Sequence, residues 1–190
     1  MDTAQEIIDA IEQLRNRQNA IVVGVSGFGG AGKSTLTRHL VESIEGSARI
    51  RGDDFLDPNQ SHERSPDWNG VDRLRLRAEV LEPFRQAKPG FFHRFDWKMR
   101  DLGLPEPIPT AQVLIVDAIG LFHPELEGMF DLTVWVDVDL GLATERGKAR
   151  DKRLGRSHDR LWDDVWVPNE QEFVARFDPR ASADYLYTAE

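Results

Sequence analysis

The chain has 190 residues, of which 40% are hydrophobic and 30% are charged, and this composition fits one globular domain of ordinary size. It contains no cysteine, which excludes disulfides, thiolate catalysis and cysteine-bound zinc. The net charge of −9 argues against general nucleic-acid binding, because such binding needs a basic surface.

The N-terminal residues MDTAQEIIDAIEQLR carry acids where a signal peptide would be basic. Nowhere does the sequence contain a run of about 18 apolar residues, the length that a membrane-spanning helix needs. We therefore expect a cytoplasmic protein that does not insert into a membrane. The sequence leaves open whether the chain forms a homo-oligomer.

The first half of the chain alternates helical and strand patterns. Apolar residues at helical spacing predict an amphipathic helix over 3–17, and the β-branched run AIVVGVS at 20–26 predicts a buried strand. A glycine-rich loop follows, then a helix over 33–46 that ends at glycine. SARIRGDDF at 47–55 predicts a second strand that runs into a loop.

The second half continues this alternation after a long polar stretch. The segment 88–110, with several glycines and prolines, reads as irregular. Further strands are predicted at 112–118, 131–138 and 183–188, and further helices at about 71–87, from 141 onward and over 159–176. Strands that alternate with helices predict a parallel α/β sheet.

Residues 27–34, GFGGAGKS, fit the phosphate-loop pattern G-x-x-x-x-G-K-[ST]. Backbone amides can approach phosphate oxygens only where no side chain intervenes, which explains the glycines. The loop lies between a predicted strand and a predicted helix, the context that the motif requires. We therefore predict binding of a nucleoside triphosphate by Gly27, Gly29, Gly30, Ala31, Gly32, Lys33, Ser34 and Thr35.

Three side chains in or near this loop have specific expected tasks. Lys33 should reach the β- and γ-phosphates, and the hydroxyl of Ser34 should bind Mg²⁺. Asp117 ends the apolar strand LIVD, the usual position of an acid that serves the metal, although such an aspartate can also simply cap a turn.

A phosphate loop does not reveal where the γ-phosphoryl group goes. If water is the acceptor, the protein is a nucleotide-binding switch, and Asp117 to Gly120 fit the D-x-x-G pattern of GTPases. However, the chain has no N-K-x-D motif for guanine. If a small-molecule hydroxyl is the acceptor, a carboxylate must lie beside it to take the proton, and Asp53 and Asp54 are the candidates.

Residues 52–59, GDDFLDPN, resemble the Asp-x-Phe segment of uridine kinases, phosphoribulokinases, bacterial pantothenate kinases and ribosylnicotinamide kinases. The resemblance implies a P-loop NTPase fold: a three-layer α/β sandwich with a five-stranded parallel sheet and a kinase-type lid. It also implies ATP as phosphoryl donor, Mg²⁺, and Asp53 as the base or metal-associated acid. The acceptor implied is a small molecule, in first place the 5′-hydroxyl of a ribonucleoside, with pantothenate and ribosylnicotinamide as alternatives.

The resemblance continues more loosely along the chain. It assigns acceptor binding to a segment of about 53–105, which contains Asp54, Asp67, Trp68, Phe95 and Trp97. Between residues 146 and 160, seven Lys or Arg outweigh two Asp. This basic run is either a solvated helix face or the arginine-rich lid of the family, and the resemblance favours a lid with Arg150 as its catalytic arginine and Arg146 and Arg156 on the substrate.

Overall fold

The computed structural model describes residues 1–188, so the last two residues of the predicted 1–190 domain lie outside the described residues. Its main sheet has five strands in the order β2-β5-β1-β6-β7, and all its neighbouring pairs are parallel. A separate antiparallel hairpin pairs β3 with β4. The strands are β1 (Ile21–Gly27), β2 (Ser47–Arg51), β3 (Phe91–Asp96), β4 (Asp101–Pro107), β5 (Val113–Asp117), β6 (Leu132–Val136) and β7 (Tyr185–Tyr187).

Helices connect the strands and lie on both faces of the sheet. They are α1 (Ala4–Arg15), α2 (Lys33–Ser43), α3 (Arg73–Leu76), α4 (Glu82–Arg85), α5 (Leu140–Arg153), α6 (Asp159–Leu161) and α7 (Val167–Phe177). A π-turn, Arg77–Leu81, joins α3 to α4, and another, Trp162–Trp166, joins α6 to α7. Short 3₁₀ turns are formed by Gly52–Phe55 and Pro124–Leu126.

Two apolar cores fill the space between the layers, because successive side chains of a buried strand point to opposite faces. On one face, Val23 of β1 packs with Ile11 of α1 and Leu40 of α2. On the other face, Val22 of β1 packs with residues such as Leu76 of α3. This arrangement confirms the predicted three-layer α/β sandwich with a five-stranded parallel sheet.

The sequence predicted an irregular segment at 88–110, and this prediction is wrong. The segment forms the β3–β4 hairpin. Its glycines and prolines obscured the strand pattern, and Phe92 packs into the second core while its neighbour Phe91 is exposed. Among residues 1–188, no helix is long and apolar enough to cross a membrane.

The carboxyl ends of the parallel strands meet at one edge of the sheet. In the strand register Asp117 of β5 lies beside Val25 of β1 on one side and Arg51 of β2 on the other. The loops after these three strands therefore converge at this edge, where open α/β sheets bind their ligands.

Candidate active site

The glycine-rich loop joins the end of β1 to the start of α2, as the motif requires. Gly27, Gly30 and Gly32 have positive φ angles of 146°, 84° and 106°. A Cβ atom on Gly30 would lie 2.1 Å from the backbone oxygen of Ala143 in α5. Glycine is thus required at Gly30 both by its backbone conformation and by the close approach of α5.

The ammonium group of Lys33 lies over the loop that precedes it. Its Nζ donates hydrogen bonds to the backbone oxygens of Gly27, at 2.8 Å, and Phe28, at 2.9 Å. Burial lowers the pKa of Lys33, while Glu170, Asp53 and Asp117 oppose this shift through their negative charge. That Lys33 reaches the β- and γ-phosphates of a bound nucleotide remains a prediction.

Ser34 and Asp117, the predicted magnesium residues, lie together. The Ser34 hydroxyl donates to Oδ2 of Asp117 at 3.0 Å. Arg49 of β2 binds the same carboxylate from the other side, with Nε on Oδ1 and Nη2 on Oδ2, each at 2.7 Å. The sequence analysis missed Arg49, because a charged residue inside a strand gives no sign of its partner.

Asp53 and Asp54 follow β2 in one 3₁₀ turn but point in different directions. The side chain of Asp53 is 54% exposed and lines the cavity beside the phosphate loop, where Arg51 approaches it at 3.4 Å. The side chain of Asp54 is 9% exposed and faces Arg94 of β3, at 3.5 Å. Burial raises the pKa of Asp54. Of the two, Asp53 is therefore the carboxylate that an acceptor in the cavity can reach.

A cavity of about 810 Å³ covers this edge of the sheet. One end is the phosphate loop, and Asp53 and Asp117 lie along its floor. The predicted site residues that line the cavity are Gly29, Gly30, Gly32, Lys33, Ser34, Thr35, Asp53, Trp68, Trp97, Asp117, Arg146, Arg150 and Arg156.

The basic run forms one wall of the cavity. Arg146 and Arg150 project from α5, and Arg156 follows the helix. Arg150 binds the buried carboxylate of Asp151, which also accepts a hydrogen bond from the indole nitrogen of Trp162 at 3.0 Å. These bonds and the Arg150 charge lower the pKa of Asp151 against the opposing effect of burial, which is the largest single contribution.

One part of the cavity lining, which we call the aromatic end, is formed largely by aromatic side chains. Trp68, Trp97 and Trp166 line it together with Leu56 and Ser61. The indole nitrogen of Trp68 and the hydroxyl of Ser61 are buried and have no hydrogen-bond partner within residues 1–188. Buried polar groups in proteins are nearly always paired. A ligand in the cavity could supply the hydrogen-bond partner that each of these two atoms lacks.

Other residues of the predicted acceptor segment lie away from the cavity lining. Asp67 forms an ion pair with Arg176 of α7. Phe95 is buried in an apolar cluster with Leu56, Trp68, Val71 and Phe173, and its ring contacts Trp97 edge-on. That Asp67 and Phe95 bind the substrate remains a prediction. Phe95 packs against Trp68 and Trp97, which line the cavity.

Glu170 is a second site residue that the sequence analysis missed. It lies on α7, is 4% exposed, and its Oε1 accepts a hydrogen bond from the backbone amide of Gly29 at 2.6 Å. Burial raises its pKa to about 7, against the opposing effects of the Gly29 bond and of Lys33. A glutamate inside an amphipathic helix gives no sequence signal of such a contact, since it is 141 residues away from the loop.

No protein-family model matches the chain. Individual known proteins, however, are similar to it in sequence. A protein named uridine kinase from Oceanobacillus iheyensis is 29% identical over 161 residues, which cover 77% of this chain and 75% of that protein. A second uridine kinase, from Staphylococcus epidermidis, is 26% identical over 167 residues and covers 80% of this chain and 81% of its own length.

Solved structures share the fold at lower identity. A structure from Bacillus stearothermophilus, described as a possible uridine kinase, superposes with a TM-score of 0.72 at 12% identity and covers 96% of this chain and 98% of its own. The phosphate loop, the acid beside it and these similarities together indicate that the chain is a small-molecule kinase, similar to the proteins named uridine kinase.

Proposed function

We propose that this kinase transfers the γ-phosphoryl group of ATP to the 5′-hydroxyl of a ribonucleoside. One observation carries the proposal: a single cavity joins the phosphate loop, the half-exposed carboxylate of Asp53 and an aromatic end with unpaired polar atoms. The relatives named uridine kinase support the same class of acceptor.

The donor end would hold the triphosphate. Residues of the phosphate loop line this part of the cavity, among them Gly30, Gly32 and Lys33. Helix α2 begins at Lys33, so its positive end lies there too. Ser34 and Asp117 offer a hydroxyl and a carboxylate 3.0 Å apart, oxygen donors that suit Mg²⁺ with water and phosphate as its remaining ligands. When bound there, Mg²⁺ would neutralise negative charge on the phosphate oxygens.

Asp53 would act on the acceptor. In the proposed step, the acceptor oxygen forms a bond to the γ-phosphorus, while the bond from that phosphorus to the β–γ bridging oxygen breaks. The proton of the acceptor hydroxyl passes to the Asp53 carboxylate, and ADP leaves with the bridging oxygen. Asp54 takes no part in this step, because its buried side chain faces Arg94 on the hairpin.

The aromatic end would hold the base of the nucleoside. Trp68 and Trp97 offer flat apolar surface, while the Ser61 hydroxyl and the Trp68 indole nitrogen offer hydrogen bonds. A planar ring with polar edges matches both properties, because it can pack on aromatic side chains and pair with buried polar atoms.

Residues 146–160 would serve as the lid of one kinase domain. Arg146, Arg150 and Arg156 place three positive charges on the cavity wall above the phosphate loop. Guanidinium groups in this position stabilise the charge that develops on the γ-phosphoryl oxygens during transfer. A closed lid also keeps water from the γ-phosphate, which limits hydrolysis.

A second acceptor class is favoured by Arg51. Its side chain is 48% exposed, lines the cavity, and lies two residues before Asp53 with only a 3.4 Å contact to it. A half-exposed guanidinium beside the proposed base can also bind a carboxylate of the acceptor. An acidic alcohol such as pantothenate is therefore the second candidate acceptor.

An ADP-release assay with a panel of acceptors tests the proposal. The panel contains four ribonucleosides, ribosylnicotinamide and pantothenate, each with ATP and Mg²⁺. We expect a ribonucleoside to stimulate ADP release well above the rate with ATP alone. Stimulation by pantothenate alone would replace the first candidate by the second, and slow release that no acceptor changes would point to a nucleotide switch.

A further inference from the structure

Helix α7 reaches the phosphate loop through one side chain. Oε1 of Glu170 accepts a hydrogen bond from the amide of Gly29, and the residue is 4% exposed. An amide of a phosphate loop normally points at a phosphate oxygen. Oε1 of Glu170 therefore occupies a position that is also suited to a phosphate oxygen.

The second carboxyl oxygen of Glu170 is unsatisfied. Oε2 is buried, and within residues 1–188 it has no hydrogen-bond partner, although the residue lines the cavity. The nearby cation is Lys33, but its ammonium group donates instead to the backbone oxygens of Gly27 and Phe28. A buried carboxyl oxygen without a donor is costly unless a matching group arrives to pair with it.

Helix α7, which carries Glu170 to the loop, is held in place by the side chains of its neighbouring residues. The side chain of Asn169 accepts a hydrogen bond from the Ser65 amide at 2.8 Å and donates one to the backbone oxygen of Glu63 at 3.0 Å. In the preceding turn, Trp166 donates to the backbone oxygen of Ser61 at 3.4 Å. An arriving triphosphate thus meets the Glu170 carboxyl group in place.

An ionised carboxylate would repel the phosphate, whereas a protonated one would bind it. We propose that Glu170 is a phosphate-contacting residue that takes up a proton when ATP binds: Oε1 keeps the Gly29 amide, and protonated Oε2 donates a hydrogen bond to a phosphate oxygen. This inference rests on ATP as the phosphoryl donor and adds a residue to its binding site.

The charge balance around Glu170 fits this role. Burial raises its pKa to about 7, so that the proton is gained at little cost near neutral pH. The charge that acts on Glu170 most directly is that of Lys33 of α2. The basic run lines the same cavity with Arg146, Arg150, Asp151, Arg153, Arg156 and His158. A polyanion placed beside Glu170 favours its neutral form further.

Calorimetric binding of a non-hydrolysable ATP analogue to the full chain tests the proposal at pH 6 and pH 8. Glu170→Gln copies the protonated acid, with an oxygen for the Gly29 amide and an NH₂ group that can donate to phosphate. The matched control is Glu172→Gln, on the same helix, where the side chain is 47% exposed and pairs with Arg64.

Between pH 6 and pH 8, we expect the affinity of the wild type and of Glu172→Gln for the analogue to fall. This fall should be about tenfold larger than that of Glu170→Gln over the same range. At pH 8, Glu170→Gln should therefore bind about tenfold more tightly than either. Titration at pH 8 in buffers of different ionisation enthalpy should show uptake of close to one proton by the wild type and less by Glu170→Gln.

Two results would overturn the proposal: the same pH dependence in all three proteins, or no difference in proton uptake between the wild type and Glu170→Gln. Both require that the wild type binds the analogue. A wild type that binds no ATP analogue at either pH would instead overturn the assignment of the donor, and the Glu170 proposal with it.

Discussion

Arg49 and Asp117 form a two-pronged ion pair at the carboxyl edge of the sheet, with one 2.7 Å hydrogen bond to each carboxylate oxygen. Asp117 is 5% exposed and receives a third hydrogen bond from Ser34. The charge of the acid that is proposed to serve Mg²⁺ is therefore balanced by an arginine of β2. The same ion pair thus stabilises this edge of the sheet and fixes the carboxylate that is proposed to serve Mg²⁺.

Replacement of Arg49 by methionine should lower the free energy of unfolding by about 3 kcal/mol, because Asp117 is left as a buried charge without its partner. Urea denaturation at pH 7 measures this loss. The control is Arg51→Met on the same strand, where the exposed pair with Asp53 should contribute less than about 1 kcal/mol. A double-mutant cycle with Asp117→Asn tests whether the two residues stabilise the fold through their ion pair. Losses of unfolding free energy that simply add in the double variant would contradict this interaction.

Substitution of Asp53 by asparagine should reduce turnover by about 10²- to 10⁴-fold, because asparagine cannot take the acceptor proton. Binding of ATP should persist, which calorimetry can check. The neighbouring Asp54→Asn serves as the comparison: its side chain faces Arg94, so its effect should fall on stability and leave turnover within a few fold. Equal losses of turnover in both variants would remove Asp53 from its proposed role.

Substitution of Gly30 by alanine should disrupt the phosphate loop, because the added Cβ would overlap the backbone of α5 at 2.1 Å. We expect a loss of at least about 3 kcal/mol in the free energy of unfolding, together with weaker ATP binding. Gly128→Ala is the matched control, since its φ of 72° is similar but no atom lies within 4 Å of its Cβ. That variant should lose only about 1 kcal/mol from backbone strain. Similar losses for the two would show that the contact with α5 is unimportant.

The raised pKa of Glu170 also predicts how stability depends on pH in the absence of nucleotide. Its folded pKa of about 7 lies above the ordinary value of 4.5, so the group favours folding below pH 4.5 and loses this contribution as pH rises through 7. Between pH 5 and pH 8, wild-type stability should fall relative to Glu170→Gln by up to about 3 kcal/mol. Denaturation curves of the two proteins at both pH values measure this difference, and parallel changes would contradict the shift.

The sequence predicted well where local patterns determine structure. The loop at residues 27–34 was recognisable because glycines, a lysine and a serine at fixed spacing follow a buried strand. Asp117, the acid that ends β5, was predicted from a local pattern as well, because it closes an apolar strand run. The apolar runs of the strands and the helical patterns between them were sufficient to predict the parallel sheet, because each of these patterns involves only residues that are close in sequence.

The remainder depends on contacts between distant residues, which spacing does not encode. Glu170 reaches Gly29 across 141 positions, and Arg49 reaches Asp117 across 68. The direction of Asp53 relative to Asp54 depends on how one 3₁₀ turn meets the β3–β4 hairpin. The hairpin itself was missed because glycines and prolines interrupt its alternating pattern, and tertiary packing stabilises it regardless.

The central claim is that the phosphate loop and Asp53 act on one cavity, so that the γ-phosphoryl group moves directly to an acceptor hydroxyl. The most direct test incubates the protein with ATP labelled with ¹⁸O in the γ-phosphoryl group and a mixture of ribonucleosides, and follows the label by mass spectrometry. We predict a nucleoside 5′-monophosphate that carries the label, formed by the wild type and nearly absent with Asp53→Asn or Lys33→Ala. Label found only in free phosphate, at a rate that no acceptor changes, would contradict the account.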